Sequence, residues 1–172
     1  MGELIFRKFR NGDEVPFRIL NEAWVKKYFR MEAADHEVLG DPVGQVITPG
    51  GEIVIAELDG EVVGCCGLVR MDGGVFEVAK MTVGEQWRGT GIGEKLLRAA
   101  VARAGARGAT GLYLETNSAL GPAIRLYERV GFRHVPPERR HASPYARSDV
   151  QMEMELTRDP IPDNATTVPG LT

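Results

Sequence analysis

Three apolar runs separated by two tight turns constrain the fold of this chain more than any other feature. The runs are EIVIAEL (52–58), EVVGCCGLVRM (61–71) and VFEVAKMTV (75–83), joined by Asp59-Gly60 and by DGG at 72–74. An Asp-Gly pair between two apolar runs is a strong hairpin signal, because both residues tolerate the positive φ angles of a hairpin turn. The pattern therefore predicts three consecutive antiparallel strands.

The periodicity changes after the third strand. A glycine-rich segment leads into residues 92–106, whose apolar positions recur at helical spacing, and GLYLET (111–116) is then typical of a strand. This strand–helix–strand unit predicts a parallel pair of strands with a right-handed crossover. A later helix has Pro122 in its first turn and ends at Gly131, and GFRHVP and SDVQMEMEL are predicted as the last two strands.

The N-terminal part adds a strand and two helices to this plan. ELIFRK (3–8) is predicted as the first strand, and helices are expected from Asp13 to about Phe29 and from Glu32 to Leu39. GDPVG and TPGG are predicted loops. Together the elements predict an α/β fold with a mixed sheet and helices on both faces. We expect a single domain over residues 1–157 and a disordered tail over 158–172, which lacks apolar periodicity.

Composition and charge argue against several classes of protein. The 172 residues carry a formal net charge of −3, which gives no general attraction to nucleic acid or to an anionic membrane. No apolar run approaches the ~18 residues of a membrane span, and the charged N-terminus is not typical of a signal peptide, so we expect a cytoplasmic protein. The adjacent Cys65 and Cys66 should face opposite sides of a strand as buried apolar residues. The spacing of the histidines and cysteines predicts no metal site.

The glycine-rich segment QWRGTGIGEKLL (86–97) could bind a phosphate in one of several ways. A Rossmann fingerprint and a Walker A loop, counted from Gly89, both require glycine at position 94, where the chain has Glu94. A third interpretation is a short turn whose backbone N–H groups, with the helix N-terminus, bind a pyrophosphate. A plain helix-entry turn with glycines for tight packing remains the alternative.

Two motifs resemble those of a known family. VFEVAKMTVGEQWRGTGIGEKLL resembles the acetyl-CoA-binding signature of the GNAT superfamily of N-acetyltransferases, a strand followed by Gln/Arg-x-x-Gly-x-Gly/Ala at a helix start. AIRLYERVGF (123–132) is similar to the family's A-I-x-L-Y-E-K-x-G-F on the later helix. The resemblance covers about residues 3–157. It implies a mostly antiparallel sheet with one splayed parallel pair, and acetyl-CoA as co-substrate without a metal.

The resemblance also implies a reaction and site residues. The acetyl group would pass to a primary amine of a small molecule, a peptide N-terminus or a lysine, and many relatives are dimers. Glu77 is the expected base, because we place it on an apolar strand face with Val75, Ala79 and Met81, and Glu115 is the reserve. Tyr127 is the expected general acid for the leaving thiolate. The expected cofactor-binding residues are Met81, Thr82, Val83, Gln86, Arg88, Gly89, Thr90, Gly91, Ile92, Gly93, Glu94, Asn117 and Tyr127. Asn117 lies three residues farther from Ala123 than the family's asparagine does.

The acceptor pocket is expected between the first two helices and the loop 136–149. The candidate substrate-binding residues are Tyr28, Glu32, Asp35, Tyr145 and Arg147. The carboxylates would attract a cation, whereas Arg147 would suit a carboxylate. Two other functions stay open at this point. One is a regulatory domain that binds acetyl-CoA without turnover, and the other is a nucleotide-binding module of a different fold.

Overall fold

A seven-stranded sheet organises residues 2–157, which are the residues described by the computed structural model. Its spatial order is β1-β2-β3-β4-β5-β7-β6, and the β4–β5 pair is parallel whereas the other neighbours are antiparallel. The strands are β1 (Leu4–Lys8), β2 (Glu52–Leu58), β3 (Glu61–Arg70), β4 (Val75–Val83), β5 (Gly111–Thr116), β6 (Arg133–His134) and β7 (Val150–Glu155). The predicted mixed sheet with one parallel pair is confirmed.

Helices cover both faces of the sheet and build two apolar cores. The helices are α1 (Glu14–Tyr28), α2 (Ala33–Gly40), α3 (Ile92–Ala106) and α4 (Gly121–Val130). On one face, Phe17 of α1 and Leu39 of α2 pack with Ile53, Ile55 and Cys65. On the other face, the buried stripe of α3 packs with Val54, Ala56 and Cys66. The two cysteines are free and buried, one in each core, as their adjacency predicts.

A bulge interrupts β4 next to its pairing with β3. Gly67 pairs with Ala79 and Cys65 pairs with Thr82, so β4 carries one residue more than β3 between these points. Lys80 lies in this bulge with φ of +52°, a left-handed conformation that is uncommon outside glycine. Because the extra residue reverses the alternation, Met81 packs into the α3 core with Phe76 and Val78. Our placement of Met81 on the face of Glu77 is therefore wrong.

The sheet opens between β4 and β5. The two strands pair from Val75–Gly111 to Val78–Leu114 and no farther. Beyond that point β4 stays paired to β3 as far as Val83, and β5 stays paired to β7 as far as Thr116. The second halves of the two parallel strands therefore part in a V, which leaves a gap through the middle of the sheet.

Three other expectations differ from the structure or lie outside it. A one-turn π-helix, Val43–Ile47, occupies part of the region predicted as loops. The predicted strand GFRHVP shrinks to Arg133–His134, because only these residues pair with β7. The tail 158–172 lies outside the described residues, as does Met1. Among the described helices, none combines the length and the apolar character needed to cross a bilayer.

Candidate functional site

A cleft of about 390 Å³ lies where β4 and β5 part. Its walls come from α1, α2, the bulged part of β4, the end of β5, α4 and residues 144–148. Glu77 faces the α1/α2 side, because its partner on β3 is Val69, which packs against that core. Tyr127 of α4 packs against the opposite core, yet it lines the same cleft. The gap in the sheet thus brings Glu77 and Tyr127 to one space from opposite faces.

Glu77 is set up to exchange a proton near neutral pH. Burial raises the pKa of Glu77 to about 7, and the negative charge of Glu115 acts in the same direction while Lys80 opposes it. Within residues 2–157 its carboxylate accepts no hydrogen bond. Glu115 differs, because Tyr113 Oη donates to Oε1 at 2.9 Å and Ser143 Oγ donates to Oε2 at 2.6 Å. Of the two carboxylates, Glu77 is therefore the one without a hydrogen-bond donor in the described part of the chain, whereas both oxygens of Glu115 have one.

Tyr127 stays protonated at neutral pH. Burial raises the pKa of its phenol to about 12, with a smaller contribution from Cys66. The ring packs edge-on against Phe132 with 6.1 Å between centroids, which fixes its orientation. A protonated phenol held at the cleft wall can donate a proton or a hydrogen bond.

The glycine segment presents free backbone donors at the start of α3. Gly89 and Gly91 have φ of +75° and +87°, and a Cβ added to either meets nothing within 4 Å. Within residues 2–157, no backbone N–H from Gly89 to Glu94 finds a protein acceptor, since the first bond of this helix runs from Lys95 N–H to Gly91 O. Open space in front of six unpaired donors at a helix N-terminus suits an anion.

Among the described residues, several polar side chains around the glycine segment have no hydrogen-bond partner, whereas others are already paired. Thr82 Oγ1, Trp87 Nε1 and Arg88 Nη1 are buried without a partner in the described part of the chain. Arg88 Nε donates to Val83 O at 3.1 Å, which ties the segment to the end of β4. The Glu94 side chain pairs with Arg98 and Arg129, so Glu94 has only its backbone N–H to offer. Gln86 is exposed in the turn before the glycines, and Ile92 is buried in the α3 core.

The end of β4 carries a further free backbone donor. Gly84 N–H donates to Val63 O on β3, so strand alternation directs the N–H of Val83 to the opposite side, toward the gap. Met81 lies beside the bulge and lines the cleft with its side chain. The end of β4 is therefore the edge that the parting of β5 leaves behind.

Asn117 lines the cleft, but its side chain is already bonded. Its Nδ2 donates to Arg147 O at 2.6 Å, and its Oδ1 accepts from Ala119 N at 2.8 Å. The residue therefore fastens the loop before β7 to the start of α4. Its expected contact with the cofactor stays a prediction.

The candidate acceptor residues divide into two groups. Tyr145 and Arg147 line the cleft, whereas Tyr28 is exposed and lies outside it, packed near Trp24 and Phe29. Glu32 and Asp35 also lie outside the lining, and both of them bind Arg147. Sequence reasoning missed many of the lining residues, among them Trp24, Phe29, Glu37 and Lys80. The helical pattern places Trp24 on an apolar face, but no local signal shows that this face borders a cleft.

Among residues 2–157, no cluster of His, Cys, Asp and Glu is arranged to hold a metal ion.

Comparisons with known proteins identify the family. Residues 14–132 match the acetyltransferase (GNAT) family, which is more than half of the chain. An uncharacterised N-acetyltransferase of Escherichia coli is 38% identical over 90 residues, a match that spans 51% of this chain and 54% of that protein.

Two solved structures share the fold. A GNAT-family acetyltransferase of Staphylococcus aureus superposes with a TM-score of 0.81 at 19% identity, over 90% of this chain and 100% of that one. An acetyltransferase of Salmonella typhimurium, solved with acetyl-CoA, gives a TM-score of 0.69 at 20% identity, over 94% of this chain and 99% of that one. The family match and the shared fold, with its parted parallel strands, show that this chain belongs to the GNAT acetyltransferase family.

Proposed function

We propose that this protein transfers the acetyl group of acetyl-CoA to a primary amine by direct attack when both substrates are bound. The observation that carries the proposal is the convergence of Glu77 and Tyr127 on one cleft from opposite faces of the sheet. A base on one side and an acid on the other allow the amine and the thioester to meet in the gap between β4 and β5.

The residues present fit the phosphates and the arm of coenzyme A. The six free N–H groups from Gly89 to Glu94 suit a pyrophosphate, and the unpaired Nη1 of Arg88 adds a positive charge beside them. An extended arm would run along the end of β4 near Met81 and Val83, where the N–H of Val83 is directed toward the gap. Acetyl-CoA supplies the activated acyl group, and the Salmonella relative was solved with that molecule bound.

Glu77 takes the proton that the acceptor must lose. An alkyl ammonium titrates near ~10.4, so the acceptor arrives charged and a carboxylate must remove a proton before its nitrogen can attack. With its pKa near 7, Glu77 is a stronger base than an ordinary carboxylate and is still largely ionised at slightly alkaline pH. The ammonium first gives one proton to Glu77, and the neutral amine then bonds to the acetyl carbon. The nitrogen loses its second proton once this bond has formed, and that proton balances the one taken up by the departing thiolate.

Two groups on the other side of the reacting carbon complete the chemistry. A backbone N–H at the end of β4 polarises the thioester oxygen, a type of contact whose loss costs about 3–4 kcal/mol in known enzymes. As the carbon–sulfur bond breaks, Tyr127 donates its proton to the departing sulfur. The phenol is available for this because it is protonated at neutral pH.

The competing proposal is a domain that binds acetyl-CoA and regulates a partner without turnover. Retention of a free carboxylate and a free phenol in one cleft favours the enzyme. A mass-spectrometric acetyl-transfer assay over a panel of amines, with thiol release measured in parallel, separates the two. Acetylated product supports the enzyme, whereas tight acetyl-CoA binding without product from any amine supports the regulatory domain. A thermal-shift comparison of acetyl-CoA with NAD and ATP checks the choice of nucleotide.

A further inference from the structure

Four charged side chains from three separate parts of the chain form one cluster behind the cleft. Asp35 of α2 is fully buried and accepts from Lys80 Nζ at 2.6 Å and from Arg147 Nη2 at 2.7 Å. Arg147 Nη1 donates to Asp35 Oδ2 at 2.8 Å and to Glu32 Oε2 at 3.1 Å. We call Glu32, Asp35, Lys80 and Arg147 the ion cluster.

The ion cluster neutralises the positive charge of the cleft. Within residues 2–157, Lys80 and Arg147 are the cationic side chains that line it, and the cluster pairs their two charges with two carboxylates. Although burial disfavours its charged form, hydrogen bonds from Arg147 and Lys80 hold the pKa of Asp35 far below its usual range, so this carboxylate stays ionised. Arg147 uses three of its five N–H groups on Asp35 and Glu32, so its positive charge is already balanced by two carboxylates.

The charges that remain in the lining are negative. Glu37 is exposed at the rim and has no ion-pair partner in the described part of the chain, and Glu77 and Glu115 lie deeper. A positively charged amine gains from these carboxylates, whereas a carboxylate attached beside the amine meets three like charges, and both cations of the lining already have carboxylate partners.

Apart from the polar side chains of Asn21, Gln45 and Ser148, the rest of the acceptor side is apolar and aromatic. Trp24 and Phe29 of α1 lie with ring centroids 5.9 Å apart, and both line the cleft. Tyr145 stands on the other wall, with its ring centroid 4.5 Å from Lys80 Nζ and 4.5 Å from Arg147 Cζ. Ala34, Val38 and Val69 complete this surface. Walls of this kind favour binding of apolar groups, because burying apolar surface lowers the free energy.

We infer that the acceptor is a small primary amine with an apolar or aromatic body and without a carboxylate beside the amine. The inference rests on the proposed acetyl transfer and adds the class of acceptor to it. The ammonium lies toward Glu77, and the body packs between Trp24, Phe29 and Tyr145. The ion cluster determines the selectivity against carboxylates, because Arg147 and Lys80 are paired with Asp35 and Glu32 instead of with the substrate.

Three matched amines test this inference on the unmodified protein. 2-Phenylethylamine, phenylalanine amide and phenylalanine share the aromatic body, and phenylalanine alone carries a carboxylate. We expect kcat/KM for phenylethylamine and for the amide to exceed that for phenylalanine by at least about tenfold. Equal or better use of phenylalanine overturns the inference. So does failure of all three when other amines are acetylated, whereas failure of every amine overturns the proposed function instead.

Glu32→Gln tests whether the ion cluster causes the selectivity. Glutamine keeps an oxygen that can accept from the backbone N–H of Ala146, which donates to Glu32 Oε1 at 2.8 Å. It removes one of the two negative charges that are paired with Arg147. We expect the preference for phenylethylamine over phenylalanine to fall at least about threefold, with the KM for acetyl-CoA unchanged. The matched control is Glu61→Gln, at an exposed carboxylate at the start of β3. An unchanged preference in Glu32→Gln, or an equal change in the control, contradicts the role of the cluster.

Discussion

The two halves of the cleft are built from different parts of the polypeptide. The half proposed to hold acetyl-CoA uses mainly backbone N–H groups from one continuous segment, residues 81–94. The acceptor half uses side chains from α1, α2, the β4 bulge and residues 144–148. A backbone site depends on conformation and tolerates changes of side chain, whereas a side-chain site depends on each residue and on the packing that joins the segments. Changes in the two halves should therefore have different signatures.

Glu77→Gln should give the largest effect on activity, because it removes the proton acceptor from the place where the two halves meet. We expect kcat to fall about 10²- to 10⁴-fold, with little change in acetyl-CoA binding. In the unmodified protein, kcat/KM should rise with pH through about 7, because the carboxylate must be ionised. Steady-state kinetics from pH 5.5 to 9 give both results, and a profile that is flat across this range contradicts the role of Glu77.

The same substitution should raise stability. The pKa of Glu77 is raised from its ordinary value of 4.5 to about 7 in the folded protein. Between these values the folded state keeps a proton that the unfolded state loses, so its stability falls as pH rises from about 4.5 to 7. Glutamine removes this loss, and the melting temperature of the variant should exceed that of the parent most clearly above pH 7. If the variant and the parent had the same melting temperature at pH 5 and also at pH 8, the Glu77 carboxylate would be solvated and the prediction would be wrong.

Asp35→Asn should give the largest effect on stability, because it leaves Lys80 without a carboxylate partner and Arg147 with Glu32 alone. Removing one partner of a buried ion pair costs about 3–5 kcal/mol, and Asp35 bonds both Lys80 and Arg147. Since the pKa of Asp35 is lowered in the folded state, this stabilisation is present at neutral pH and is lost only in strong acid. Urea denaturation measures the loss, with Glu61→Gln as the control. A change below about 1 kcal/mol would show that the cluster is not a structural unit.

Tyr127→Phe should reduce activity without affecting either half's structure. The hydroxyl has no hydrogen-bond partner in the described part of the chain, so stability should stay within about 0.5 kcal/mol. We expect kcat to fall about 10²-fold at unchanged affinity for acetyl-CoA, because the loss lies in protonation of the thiolate. Acyl donors whose leaving thiol is more acidic than that of coenzyme A should be less affected by the substitution. An unchanged kcat removes Tyr127 from the mechanism.

Gly91→Ala should weaken the cofactor half with the smallest effect of the series. Its φ of +87° costs an alanine about 1–2 kcal/mol, although the added Cβ meets no atom within 4 Å. We expect the KM for acetyl-CoA to rise several-fold with little change in the KM for the amine. Gly105→Ala on the same helix is the matched control, since its φ is not positive and its Cβ also meets nothing. That variant should be slightly more stable, and a similar rise in KM there would contradict the assignment.

Much of the fold could be predicted because the deciding signals are local. The bounds of β2, β4, α3 and β5 agree with the sequence prediction to the residue. Turn residues, alternation and helical spacing act within a few neighbours, so they identify these elements without tertiary information. The glycine segment and Tyr127 belong to short motifs that resemble those of a known family, and their roles in the site stay predictions.

The sequence by itself determined the order of the elements and the parallel β4–β5 unit, and it supplied the residues that we propose for the cofactor half. Tertiary structure decided the rest. The bulge that turns Met81 into the core depends on pairing with β3, and the gap depends on where β5 leaves β4 for β7. From the sequence, Glu32, Asp35 and Arg147 were predicted as charges that could bind a substrate. In the folded chain both carboxylates pair with Arg147, which is 112 to 115 residues away in the sequence. Contacts between segments so distant leave no periodic trace, so only the folded chain shows which charges remain available in the cleft.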